Sequence, residues 1–233
     1  MRTAFTIAWR DVRSAYTRPV GYGVTAGFLA VSGVVLVTAL RGGEARLDGW
    51  FAPLFVLSGV LAGLLSMRSF AEEEAAGTLE VLLTAPVRPW EAVLGKLLGV
   101  LGVFAVVIAG TLAAPVLVAA MGDPDAGPIL TGYAGLALVG VAFVSAGVAV
   151  SAATRSQLVA GTASIGLLLA LWFGSVVAST FSGRVRLVLE YLSPSNHVTG
   201  FLRGTVALVD VVYFVSFTAL AVGAAVTIVA NRR

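Results

Sequence analysis

The chain has 233 residues, of which 58% are hydrophobic and 12% charged, with a net charge of +3 and a mean hydropathy of +0.98. Its lack of cysteine and its single histidine, His197, exclude thiolate metal sites, disulfide frameworks, cysteine nucleophiles and histidine clusters. The arginines flank apolar stretches and form no basic stripe with interleaved aromatics, so the positive balance reads as membrane topology and not as a nucleic-acid partner.

The first 18 residues carry four arginines and place Phe5, Trp9, Val12 and Tyr16 at helical spacing, with Arg10, Asp11, Arg13 and Ser14 elsewhere on the wheel. That pattern predicts an amphipathic helix lying at the membrane interface with its aromatics in the headgroup zone. A helix packed on the protein's own cytoplasmic loop would show the same pattern. Six uncharged runs follow: Pro19–Leu40, Gly49–Met67, Leu97–Gly122, Ala126–Thr154, Ser156–Gly183 and Val211–Asn231. The shortest has 19 residues, which as a helix rising 1.5 Å per residue reaches roughly 28 Å, close to the bilayer's hydrocarbon thickness. Six helices apolar on every side cannot all hide inside 233 residues, whereas in lipid a continuous helix satisfies its own backbone. The expected fold is an all-α integral membrane protein with six transmembrane helices in a single transmembrane domain, residues 1–233. The first run is too long for a signal-peptide core and lacks a clear cleavage site, so it is expected to remain in the mature protein.

With the N-terminus inside, ten Lys/Arg fall on inner segments and five on outer ones. That bias places both termini in the cytoplasm of a multi-pass protein of the cell (inner or plasma) membrane. Between the fifth and sixth runs, residues 182–210 are apolar but broken by charges. Val185, Leu187, Val188, Leu189, Tyr191 and Leu192 predict a short outer helix stopped near Pro194, and Gly200 and Gly204 bracket a second element. The segment reads as a hairpin, either re-entrant or lying on the surface.

Residues 68–96 concentrate eight of the 27 charged residues in 29 positions. Helix is favoured over Ala71–Ala76, with Gly77 as its C′ residue; Thr78 can cap a second short helix, Leu79–Leu83, with Glu80 in its first turn. Pro86 and Pro89 stop and restart the chain, and Trp90 leads into the third run. Loops inside helical bundles run about 2–8 residues. A connection this long with such specific turn chemistry therefore reads as a cytoplasmic docking element, where a plain solvated acidic loop is the simpler reading.

The run Met67-Arg68-Ser69-Phe70-Ala71-Glu72-Glu73-Glu74, then Gly77-Thr78-Leu79-Glu80, Leu82-Leu83-Thr84, Pro86-Val87 and Gly95-Lys96 resembles the signature of ABC transporter permeases of the type-2 exporter class. The branch it resembles includes the gliding-motility-associated and nitrous-oxide-reductase-maturation permeases. A second stretch agrees: Leu192–Pro194, His197, Arg203-Gly204, and Asp210 to Phe214 opening the last span. The resemblance implies a six-helix subunit that pairs with a second permease subunit and with two cytosolic ABC ATPases. It places Glu72, Glu73, Glu74, Gly77, Thr78, Leu79 and Glu80 in a coupling helix that contacts the ATPase. It makes the arm around Trp9 the connecting helix, and it closes the outer side with the hairpin containing Pro194, His197, Arg203, Gly204 and Asp210.

Gly95-Lys96 is not part of a phosphate-binding loop, because position 90 is Trp and Leu97 follows the lysine. No cofactor is expected on this chain, and ATP-Mg belongs to the partner ATPase. No charge falls inside the six runs, which weighs against an ion-coupled carrier. Ser193, Ser195 and His197 lack a converging base and oxyanion site, so no enzyme is read here. Four Gly-x-x-x-Gly pairs (23/27, 59/63, 95/99 and 200/204) are about what 27 glycines produce by chance and name no dimer face. Besides an exporter permease, a non-transporting membrane assembly protein that recruits a cytosolic partner through residues 72–83 fits the same features.

Overall fold

A computed structural model describes residues 2–17, 19–41, 47–75, 77, 88–122 and 124–232. All regular structure among them is helical: α1 (Arg2–Thr17), α2 (Pro19–Leu40), α3 (Asp48–Ser66), α4 (Ala71–Ala75), α5 (Pro89–Gly110), α6 (Ala113–Met121) and α7 (Ala126–Ala153) come first. They are followed by α8 (Gln157–Trp172), α9 (Gly174–Ala178), α10 (Gly183–Leu192), α11 (Pro194–His197), α12 (Thr199–Leu202) and α13 (Leu208–Ala230). Five helical stretches are long and apolar enough to cross a bilayer: Pro19–Leu40, Gly49–Ala75, Pro89–Met121, Ala126–Ala153 and Leu208–Ala230.

The fifth uncharged run yields a shorter helix than its length suggests. α8 has 16 residues and ends at Trp172, where the Ser193 hydroxyl donates toward the Leu171 and Trp172 carbonyls at 3.0 and 2.9 Å. Those carbonyls are among the last four of the helix, where the regular ladder runs out, and the Ser193 side chain reaches in from the 182–210 hairpin to bond them. The third run is also interrupted, at Thr111 and Leu112. Pro115 has no N–H for the Thr111 carbonyl and its ring crowds it, which breaks the ladder between α5 and α6.

α7 is the core of the bundle, and its glycines make room for side chains from its neighbours. A Cβ on Gly132 would lie 2.8 Å from the Phe51 ring, one on Gly135 would lie 3.0 Å from both Phe55 and Phe201, and one on Gly147 would lie 2.8 Å from Ser66 Cβ. Phe51, Phe55, Phe143, Phe201 and Phe214 are fully buried around it. Trp172 packs on Phe55 with ring centroids 6.3 Å apart, and Trp50 donates from its indole to the Ser32 carbonyl at 3.0 Å, tying α2 to α3. The outward faces of α2 and α13 stay apolar and exposed, with Val31, Val34, Val37, Val212, Val215 and Leu220 among them. In water that surface would be a liability; in lipid it is the expected face.

The two ends of α7 mark the two ends of the bundle. Near its start, Thr131 donates to the Phe201 carbonyl at 2.6 Å, and the Gly204 turn (φ +81°) lies on Pro128. Near its finish, Ser151 meets the chain just after α3, and Arg155 follows. The segment before α4, the start of α5, the turn between α7 and α8, and the end of α13 therefore share one end. The 182–210 hairpin lies at the other.

Candidate functional site

The acidic helix α4 has only five residues, too few to stand alone, since nucleating a helical turn is itself unfavourable. It is held from outside. Ser151 Oγ accepts the amides of Phe70 and Ala71, each at 3.2 Å, and so does for α4 what an N-cap residue does from within the chain. All three partners are buried. At the other end Gly77 takes φ +68°, a left-handed conformation that costs glycine little, and its amide reaches the Glu74 carbonyl at 3.1 Å. The expected C′ glycine is thus where the sequence places it. Thr78, Leu79 and Glu80 lie outside the described residues.

Glu73 and Glu74 point in different directions, each into cations of this same chain. Lys96 Nζ donates to Glu73 Oε1 at 2.6 Å and lies 3.1 Å from Asp11 Oδ2. Arg10 Nη2 lies 3.2 Å from the same Glu73 oxygen and 3.1 Å from Asp11 Oδ1. Four charges therefore alternate around a closed ring, Lys96–Glu73–Arg10–Asp11, drawn from α5, α4 and α1. Lys96 is the buried member, with 5% of its side chain exposed, whereas Arg10 faces out. An ammonium removed from water to that extent is tolerable only when compensated, and here two carboxylates do so. Glu74 takes the opposite side: Arg232 Nη1 donates to its Oε2 at 2.8 Å, and Arg155 Nε lies 3.5 Å from its Oε1. Glu72 is partly exposed on the same helix.

α1 reaches this ring by seating on a glycine groove. A Cβ on Gly95 would meet Ile7 at 3.0 Å, one on Gly99 would meet Asp11 Cβ at 2.9 Å, and one on Gly102 would meet Val12 at 2.6 Å. The contacts advance together along both helices, so α1 runs alongside the start of α5. The 95/99 glycine pair, which spacing alone could not distinguish from chance, is used inside the subunit. Phe5 and Trp9 point away from that groove and are exposed. Val12 and Tyr16 turn inward instead: Val12 to α5, and Tyr16 to α2 through a 3.3 Å bond to Thr25 and an edge contact with Tyr22. α5 starts at Pro89 as expected, and the Arg88 amide donates to Glu91 Oε2 at 3.3 Å.

At the opposite end the hairpin residues also converge. His197 is buried, its Nδ1 2.8 Å from Asp210 Oδ1 and its Nε2 3.0 Å from the Tyr191 carbonyl. Its ring stacks on Tyr213 at 4.0 Å, and the Tyr213 hydroxyl donates to the Leu192 carbonyl at 2.7 Å. Pro194 opens α11 and is buried, while Gly204 takes the left-handed turn. α10 buries no residue and presents Val185, Leu187, Val188 and Tyr191 outward. The arrangement is a polar lock that ties α10 and α11 to the start of α13.

The apolar, membrane-length helices define a multi-pass helical membrane protein. Residues 6–231 match the sequence profile described as ABC-2 family transporter protein, and the chain belongs to that family: it is a transmembrane permease component of an ABC transporter. No curated protein was found to match the chain.

Proposed function

We propose that the chain is the permease subunit of an ATP-driven exporter that works as a dimer and is moved by separate cytosolic ABC ATPases, which hold the ATP-Mg. Family membership over residues 6–231 supports the permease assignment, and the 67–96 motif supports the gliding-motility-like and nitrous-oxide-reductase-maturation-like branch. The observation that carries the coupling reading is the convergence of α1, α4, the start of α5, Arg155 and Arg232 at one end of the bundle. The basic bias supports a reading in which that end, with both termini, faces the cytoplasm across the plasma membrane. In this reading the sixth crossing is α8 continued by α9. Gly161 packs on Met67 near the α4 end, and Leu171 meets Ser193 near the outer end, so the short helix spans the distance between them.

The residues offered to the ATPase are Glu72, Gly77, Thr78, Leu79 and Glu80, with Glu73 and Glu74 holding α4 in place behind them. Movement of that element as a rigid body would shift the helices it is fastened to, and the exposed faces of α2 and α13 remain for lipid and a second subunit. Purification in mild detergent tests the reading. The wild-type chain should retain an ABC ATPase, and Glu80→Arg combined with Gly77→Pro should lose it while the helical content is kept. Retention of the ATPase by that double variant would refute the assigned contact.

A further inference from the structure

The four-charge ring joins helices far apart in sequence and belongs neither to the lipid-facing surface nor to the residues offered to a partner. We infer that Lys96 and Glu73 are positioning residues that fasten α4 to α1 and α5, so that the three helices are displaced together. The functional meaning of that displacement rests on the exporter reading above; the fastening does not.

Three observations carry it. Glu73 Oε1 is shared by two cations on two different helices, Lys96 of α5 at 2.6 Å and Arg10 of α1 at 3.2 Å. Asp11 returns from α1 to the same lysine at 3.1 Å, so one ammonium is held by carboxylates of both α1 and α4. Lys96 is almost fully buried, so an outward swing of α4 would leave its ammonium with one carboxylate in place of two in a poorly solvated position. Ordinary surface ion pairs yield readily to water and salt, whereas a pair shielded in this way yields far less. The glycine groove fixes α1 to α5 independently, whereas Glu73 is a link that α4 itself contributes. On the far side Glu74 holds Arg232 at 2.8 Å, so α4 is tied to the end of α13 as well.

The test uses the whole chain in lipid nanodiscs with no ATPase present, so its outcome does not depend on the coupling partner. The absence of cysteine allows spin labels to be placed in pairs: 75 with 106, reporting α4 against α5, and 5 with 106, reporting α1 against α5. All three sites are exposed. Pulsed dipolar spectroscopy should find Glu73→Gln broadening the 75/106 distance distribution about twofold, as expected when a local tether is released, and leaving the 5/106 distribution as in wild type. Lys96→Met should broaden 75/106 at least as much. Thr131→Val, which removes a hydrogen bond at the opposite end of α7, serves as a control for general loosening and should leave both distributions unchanged. Unchanged 75/106 distributions in Glu73→Gln and Lys96→Met would overturn the inference, and so would equal broadening of both pairs in Glu73→Gln.

Discussion

Ser151→Ala is the smallest change that should unfasten the acidic helix. The hydroxyl oxygen is the acceptor for the Phe70 and Ala71 amides, both 3.2 Å away, and Phe70 and Ala71 are 1% and 0% exposed. At positions this buried the two amides lose the acceptor that pairs them. Losing an N-cap acceptor costs about 0.5–2 kcal/mol, and leaving a buried donor unpaired costs about 1–3 kcal/mol. Since one hydroxyl is shared between two amides, a net loss of about 1–2 kcal/mol is the appropriate scale, a factor of roughly 5–30 in the local opening equilibrium. Hydrogen–deuterium exchange read on a peptide covering residues 68–77 should therefore accelerate by about that factor. Ser145→Ala is the matched control: it lies on the same helix, but its hydroxyl bonds the Val141 carbonyl at 2.7 Å, within α7. It should leave residues 68–77 at the wild-type rate. Equal rates in wild type and Ser151→Ala, or equal acceleration by both substitutions, would refute the capping argument.

Two further outcomes are expected. Gly147→Ala places a methyl against Ser66 Cβ and Oγ, and overpacking of this kind costs about 1–3 kcal/mol. The thermal midpoint in detergent should fall, and Ser66→Gly should recover most of the loss in the double variant; strictly additive losses would contradict the steric account. His197→Ala removes both ring hydrogen bonds and the stack on Tyr213, so exchange in residues 191–204 should accelerate while residues 68–77 stay as in wild type. Acceleration of both regions would mean that the two ends of the bundle are not independent.

What was legible in the sequence follows from its range. Hydropathy is read over tens of consecutive residues, so five of the six uncharged runs reappear as membrane-length helical stretches. Gly77 and Pro89 act within a few bonds of where they stand, and they appear in their expected conformations. The short helix α10 ends at Leu192, two residues before Pro194. Features that depend on distant partners were invisible. The end of α8 is bonded by Ser193, a hydroxyl 21 residues away, and the cap on α4 comes from Ser151, some 80 residues on. Lys96 stands at the edge of an apolar run and reads as a topology signal; only the meeting of α1, α4 and α5 makes it the centre of a charge ring. Glu73 and Glu74 share the acidic character of Glu72, and nothing in their spacing tells that they face inward. Val12 and Tyr16 likewise share the spacing of Phe5 and Trp9 but lie against α5 and α2, because only the groove of Gly95, Gly99 and Gly102 decides which face of α1 is covered.

The proposed coupling of this permease to a nucleotide-driven partner is tested most directly by asking what touches α4 in living membranes. A photo-activated cross-linking residue at position 75, exposed at the end of that helix, should capture a cytosolic protein that mass spectrometry identifies as an ABC ATPase. The same residue at position 185, on the 182–210 hairpin, should not. An ATPase adduct from 185 and none from 75 would place the motor on the wrong side of the molecule and contradict the account.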